Sequence, residues 1–183
     1  SMLAMLDEGD EVIIPAPYWV SYPQMVNVAG GTPVTVRTSF ENNYRMTAEQ
    51  LEEAITANTK ALMLCSPSNP TGTCYTADEL QALADVLRDH PQINIIADEI
   101  YEYIVFEDEH LSILNVAPEL KERTVLINGF SKGFAMTGWR LGYLAAPQKF
   151  ADAVAKIQSQ ETSAPSSISQ KAGEAAYAGN LKA

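Results

Sequence analysis

Residue types that commonly signal a metal or disulfide site are scarce in this chain. It has two cysteines, Cys65 and Cys74, and two histidines, His90 and His110. Two cysteines are too few for a disulfide framework, and their spacing fits no zinc pattern. The histidines stand isolated, so no metal site is expected. Basic residues are also short: 12 Lys and Arg against 23 Asp and Glu leave a net charge of -11. That balance argues against nucleic acid and anionic membrane as partners, yet leaves room for a local basic pocket. No apolar run approaches the length of a membrane span, and no secretory pattern opens the sequence. A reduced, cytoplasmic setting is the expectation. No Gly-x-Gly-x-x-Gly follows a strand-like run, which sets a dinucleotide-binding module aside. Internal repeats, low-complexity tracts and long linkers are likewise absent from the sequence.

What remains is an ordinary globular composition, 46% hydrophobic and 19% charged over 183 residues, enough for one domain with a substantial core. An apolar run from Met2 to Leu6 predicts a helix, and Val12 to Ile14 a short strand stopped by Pro15 and Pro17. A helix is expected from Tyr22 to Val28 and a strand from Pro33 to Val36. Thr47-Ala48-Glu49-Gln50 and Thr76-Ala77-Asp78-Glu79 are capping-box patterns. Behind the first stand Leu51, Ala54 and Ile55. Behind the second, Leu80, Leu83, Ala84 and Leu87 recur at helical spacing. Ala61–Cys65, Ile93–Ala97, Thr124–Ile127 and Leu141–Ala146 read as apolar strands, and Lys149–Gln160 and Ser166–Ala178 as helices. Strands without alternation, separated by helices, predict a three-layer α/β/α architecture with a mostly parallel sheet.

In such sheets ligands bind beyond the carboxyl ends of the strands. Asn69, Asp98 and Lys132 each fall just past such an end, so three polar groups converge on one edge. Lys132 sits among Gly, Phe, Ala and Met, a setting that predicts partial desolvation and an available free amine. That is how a lysine becomes a Schiff-base nucleophile. A carbonyl cofactor held by a lysine also needs a carboxylate to keep its ring nitrogen protonated, and Asp98 is placed for that. Tyr101 and Asn69 can donate to a phenolate oxygen, Trp19 can cover a ring face, and Arg140 offers a fork for a phosphate.

Each residue taken singly has an ordinary structural reading. Lys132 suits a solvated loop and Asp98 a turn or helix cap. Asn69 belongs to a common turn sequence, and Tyr101 and Trp19 suit packing. Arg140 suits a surface ion pair. Their joint order and placement decide between the two sets of readings.

Pro17-Tyr18-Trp19, Ser66-Pro67-Ser68-Asn69-Pro70-Thr71-Gly72, Asp98-Glu99-Ile100-Tyr101 and Ser131-Lys132 through Gly138-Trp139-Arg140 together resemble the class I/II aminotransferases of fold type I. The residues around these motifs are similar to the prokaryotic-type aspartate aminotransferase branch, and the resemblance runs through essentially the whole chain. It implies pyridoxal 5'-phosphate as cofactor, with Lys132 as its internal aldimine lysine and proton shuttle. By the same resemblance Asp98 pairs with the pyridine nitrogen, Tyr101 and Asn69 with the phenolic oxygen, and Arg140 with the phosphate. Trp19 stacks on the ring, and Trp19 and Asn69 also contact substrate. The implied reaction is transamination between an amino acid, aspartate foremost, and a 2-oxo acid such as 2-oxoglutarate, in a homodimer.

Departures from the family pattern are equally specific. The family's glycine-containing phosphate loop has no counterpart here, and the small domain with its carboxylate-binding Arg has none either. Many relatives carry Ser three residues before the lysine, where this chain has Gly129. Residues 1–183 are therefore expected to be a single domain, most of a cofactor-binding large domain, that folds but is inactive alone. Two other readings stay open on the residues: another fold-type-I reaction such as a carbon–sulfur lyase, and a non-catalytic binding domain.

Overall fold

The computed structural model describes residues 1–106 and 109–179. The apolar runs form a six-stranded sheet: β1 Glu11–Ala16, β2 Thr32–Arg37, β3 Thr59–Cys65, β4 Asn94–Asp98, β5 Thr124–Gly129 and β6 Gly142–Ala145. Their spatial order is β2-β1-β3-β4-β5-β6. Neighbours from β2 through β5 pair in parallel, and β6 runs antiparallel to β5. The chain winds to one side from β1 to β2 and to the other from β1 to β3. A crevice therefore opens at the carboxyl ends beside β1 and β3.

Period-two alternation divides the strand side chains between two cores. Ile13, Leu62, Leu64 and Ile95 point to one face. There they meet α2 (Ala48–Ala54) through Leu51, α3 (Ala77–Asp89) through Leu80, Leu83, Ala84 and Leu87, and α4 (Ile113–Val116) through Ile113. Val12, Ile14, Ala61, Met63 and Ile96 point to the other face. Tyr22 and Val26 of α1 (Ser21–Val28) cover them, with Met2 and Leu6. Two further helices follow β6: α5 (Gln148–Glu161), which contains no buried residue, and α6 (Ser167–Ala178). Both capping boxes form. Thr47 Oγ1 accepts from Gln50 N–H and Thr76 Oγ1 from Glu79 N–H, each at 3.3 Å. Arg123 closes the far end of α3, donating to the carbonyls of Leu87, His90 and Ile93, where the helix dipole favours a cation.

Two expectations need correction. The run Met2–Leu6 makes only a 3-10 turn, Met2–Ala4. Pro15 does not stop β1, which continues to Ala16. Past Ile13, β1 pairs with β2 alone, so one edge is free at the position where a residue without an N–H is tolerated. A 3-10 helix, Pro118–Arg123, leads into β5.

The core predicts its own sensitivity. Leu83→Ala, at a fully buried position, should cost about 2–5 kcal/mol in urea unfolding. Val28→Ala, at 77% exposure, should stay within about 0.5 kcal/mol of the parent. A Leu83→Ala loss below about 1 kcal/mol would mean that α3 is not packed as described.

Candidate active site

Four separate segments reach the carboxyl edge of the sheet. The loop after β1 brings Trp19, the loop after β3 brings Asn69, the end of β4 brings Asp98 and Tyr101, and the loop after β5 brings Lys132 and Arg140. All six line one cavity of about 300 Å³, together with Tyr22, Ile100, Ile127, Ser131 and Thr137. That volume is at the small end of ligand sites.

Asp98 ends a strand whose Ile95, Ile96 and Ala97 are buried. Its Oδ2 accepts from the Tyr22 hydroxyl at 2.7 Å and its Oδ1 from the Ile100 N–H at 3.2 Å. The second bond is a local turn contact, so the ordinary reading of Asp98 as a turn residue is also met. Burial raises the Asp98 carboxyl pKa, the Tyr22 and Ile100 hydrogen bonds oppose the rise, and the Glu99 carboxylate adds to it. Asn69 sits in a loop closed by Gly72 N–H to Ser68 O at 2.8 Å and Ser68 N–H to Thr73 O at 3.0 Å. Its turn role and its place on the cavity wall coexist. Trp19 meets Tyr22 edge-on, with ring centroids 5.5 Å apart.

Lys132 lies on a loop with its Nζ 5.6 Å from the Tyr101 ring centroid. Its side chain is exposed, which corrects the expectation of partial desolvation. Its neighbours Gly133 and Ala135 are exposed as well. Arg140 is exposed too, and it donates to the Thr137 carbonyl at 2.8 Å rather than to a surface acid. Its backbone is left-handed, φ 50°, as is that of Ala135, φ 51°. Non-glycine residues adopt that region at a cost of order 1 kcal/mol or more. The loop is held in this shape by its surroundings.

Those surroundings are aromatic. Phe130 and Phe134 stack at 5.4 Å between centroids, Phe134 meets Tyr103 at 5.5 Å, and Tyr177 of α6 meets Phe130 at 5.1 Å. At the base of the loop Asn128 Nδ2 donates to Glu102 and its Oδ1 accepts from the Gly129 N–H, both at 2.7 Å. Gly129, the departure noted from the sequence, has a steric reason. A Cβ there would stand 3.0 Å from Gly142 Cα and 3.1 Å from the Leu141 carbonyl.

Sequence reasoning left Tyr22 out of the site. There it marks only the start of a helix, although Tyr22 and Val26 are four apart on the buried face of α1 and a buried tyrosine hydroxyl needs a partner.

The chain belongs to the family described as aminotransferase class I and II, whose profile matches residues 1–183. Among curated relatives, an aspartate/prephenate aminotransferase of Nitrosomonas europaea is 52% identical over 180 residues, 98% of this chain and 45% of that protein. The aspartate aminotransferase of Geobacillus stearothermophilus is 53% identical over 176 residues, 96% of this chain and 44% of that protein. The crystal structure of the aspartate aminotransferase from Rhizobium meliloti matches with a TM-score of 0.97 at 46% identity, over 99% of this chain and 46% of that one. The chain thus spans a little under half the length of these relatives.

Loop seating is testable at Gly133, where a Cβ would stand 2.6 Å from Tyr103 Cδ2 and 3.0 Å from its Cβ. Gly133→Ala should destabilise the protein by about 1–3 kcal/mol through overpacking. Adding Tyr103→Ala should return part of that loss. A Gly133→Ala protein with the parent's unfolding midpoint would show that the loop does not rest on Tyr103.

Proposed function

We propose that this chain is most of the cofactor-binding large domain of a pyridoxal-phosphate-dependent aminotransferase. The amino group passes from an amino acid, aspartate foremost, to a 2-oxo acid such as 2-oxoglutarate. The observation that carries this reading is the convergence of Trp19, Asn69, Asp98, Tyr101, Lys132 and Arg140, from four segments, on one cavity. The names of the relatives support aspartate as a substrate.

The donor set fits the cofactor. One buried-edge carboxylate, two neutral donors, one amine and one guanidinium match a cationic ring nitrogen, a phenolate, an aldehyde and a phosphate. When bound, pyridoxal phosphate supplies an electron sink for the charge left at the substrate α-carbon. Asp98 would pair with the pyridine nitrogen and favour its protonated form. Asn69 and Tyr101 would donate to the phenolic oxygen, and Arg140 would pair with the phosphate. Trp19 covers the ring, and with Asn69 orients the substrate. Lys132 Nζ would hold the aldehyde carbon and, as a free amine, would carry the α-proton. The exposure of Lys132 is relieved in this reading by the cofactor itself and by protein outside these residues. Arg140 alone is a thin phosphate site, so the reading also requires a phosphate loop and a small domain elsewhere in the full-length protein.

A homodimer in the cytoplasm completes the proposal. Val20, Val28, Phe106 and Ile168 are each at least 73% exposed, apolar surface that a second subunit or further chain would cover. Among the described residues, no helix is long and apolar enough to cross a membrane.

In full-length protein loaded with pyridoxal phosphate, borohydride reduction should fix the cofactor on the peptide containing Lys132. Label on Lys156 or Lys171, or steady release of ammonia and keto acid without an acceptor, would overturn the assignment. Asp98→Asn should slow α-proton abstraction at least about a hundredfold, since a neutral ring nitrogen absorbs charge poorly. A rate within about threefold of the parent, under ~1 kcal/mol of barrier, would count against the role given to Asp98.

A further inference from the structure

Tyr22 is the second residue of α1 and is 4% exposed, although it borders the cavity. Its hydroxyl supplies the one side-chain hydrogen bond to the Asp98 carboxylate recorded among the described residues. At 2.7 Å the bond has the ordinary length for O–H···O, and an anionic acceptor makes it stronger than a neutral pair. The same ring meets Trp19 edge-on. The entry into α1 therefore carries a residue on the cavity wall and the donor to the carboxylate at its edge.

Other groups facing this pair are few. Cys65 of β3 is paired across the sheet with Asp98, and its thiol donates to the Pro67 carbonyl at 3.5 Å. Burial pushes that thiol up to about 11, so it stays protonated. Glu99 follows Asp98 in the chain and is engaged by His110 Nε2 at 3.2 Å. Lys132 and Arg140 line the same cavity. Burial, with Cys65 and Asp98 beside it, drives the Tyr22 phenol far above its usual range. Its proton is thus always available for donation.

We infer that Tyr22 is a positioning residue: its hydroxyl holds Asp98 as an oriented anion, and so sets how strongly that carboxylate can hold a proton on a cationic ring nitrogen. The consequence for catalysis rests on the proposed pyridoxal-phosphate reading; the hold on Asp98 does not. Burial alone disfavours the Asp98 anion, and the two hydrogen bonds it accepts are what oppose burial. Remove the Tyr22 bond and the shared proton shifts from ring nitrogen towards carboxylate, weakening the electron sink. Packing gives a different expectation. Tyr22 belongs to the second core, and a phenyl ring would satisfy that role equally well.

Tyr22→Phe in the full-length protein separates the two. In cofactor-free protein, a carbon-13 NMR titration of the Asp98 carboxyl, assigned with Asp98→Asn, should show its pKa raised by about 1–2 units, the worth of a hydrogen bond to a charged group. With nitrogen-15-labelled pyridoxal phosphate bound, the ring-nitrogen resonance should move towards the neutral form. Proton abstraction should slow roughly tenfold to a hundredfold. The same substitution should add little in an Asp98→Asn background, because the two residues act as one unit. Should Tyr22→Phe fail to fold, 3-fluorotyrosine at position 22, a stronger donor of nearly the same shape, should lower the Asp98 pKa instead. An Asp98 titration unchanged by either replacement, or full additivity with Asp98→Asn, overturns the inference. Failure of the parent protein to bind pyridoxal phosphate would sink the proposed function, and the cofactor-free titration would still decide the role of Tyr22.

Discussion

A carboxylate at the end of an apolar strand is the constraint around which this site is arranged. Asp98 follows Ile95, Ile96 and Ala97 out of the core. A charge so placed costs free energy unless it is hydrogen-bonded. Its two bonds come from very different distances along the chain: Ile100 two residues on, and Tyr22 76 residues back. The long-range bond joins α1, which follows β1, to the end of β4, two places away in the sheet. The sheet order, the entry into α1 and the state of Asp98 are thus one structural decision.

The amine side of the site follows a different logic. The Lys132 loop buries little and carries two left-handed non-glycine residues, Ala135 and Arg140. Such a loop has few contacts of its own to stabilise it. Its shape comes from the ring cluster of Tyr103, Phe130, Phe134 and Tyr177, which ties it to the turn after β4 and to α6. The antiparallel β6 closes on β5 with Gly142 opposite Gly129 and sets where the loop begins. Asp98 is fixed by hydrogen bonds; Lys132 is fixed by packing one layer away. In the proposed reading, passing a proton between α-carbon and amine would call for a rigid sink and an amine whose side chain is free to move. The two modes of support match those two needs.

The sequence by itself determined the parts that depend on local periodicity. Unbroken apolar runs marked the strands, and both capping boxes marked helix starts to the residue. Strand-end placement brought Asn69, Asp98 and Lys132 to one edge, and motif resemblance added Trp19, Tyr101 and Arg140. Those signals are legible because a strand repeats every two residues and a helix every three to four. Tertiary structure alone decided the rest. The antiparallel direction of β6, the survival of β1 through Pro15 and the seat of Gly133 on Tyr103 depend on which elements become neighbours. So does the Tyr22–Asp98 bond, since Tyr22 has the i, i+4 pattern of any core residue. Exposure of Lys132 was misread for the same reason. Small apolar neighbours in sequence cannot report whether a loop folds back onto the sheet or stands clear of it.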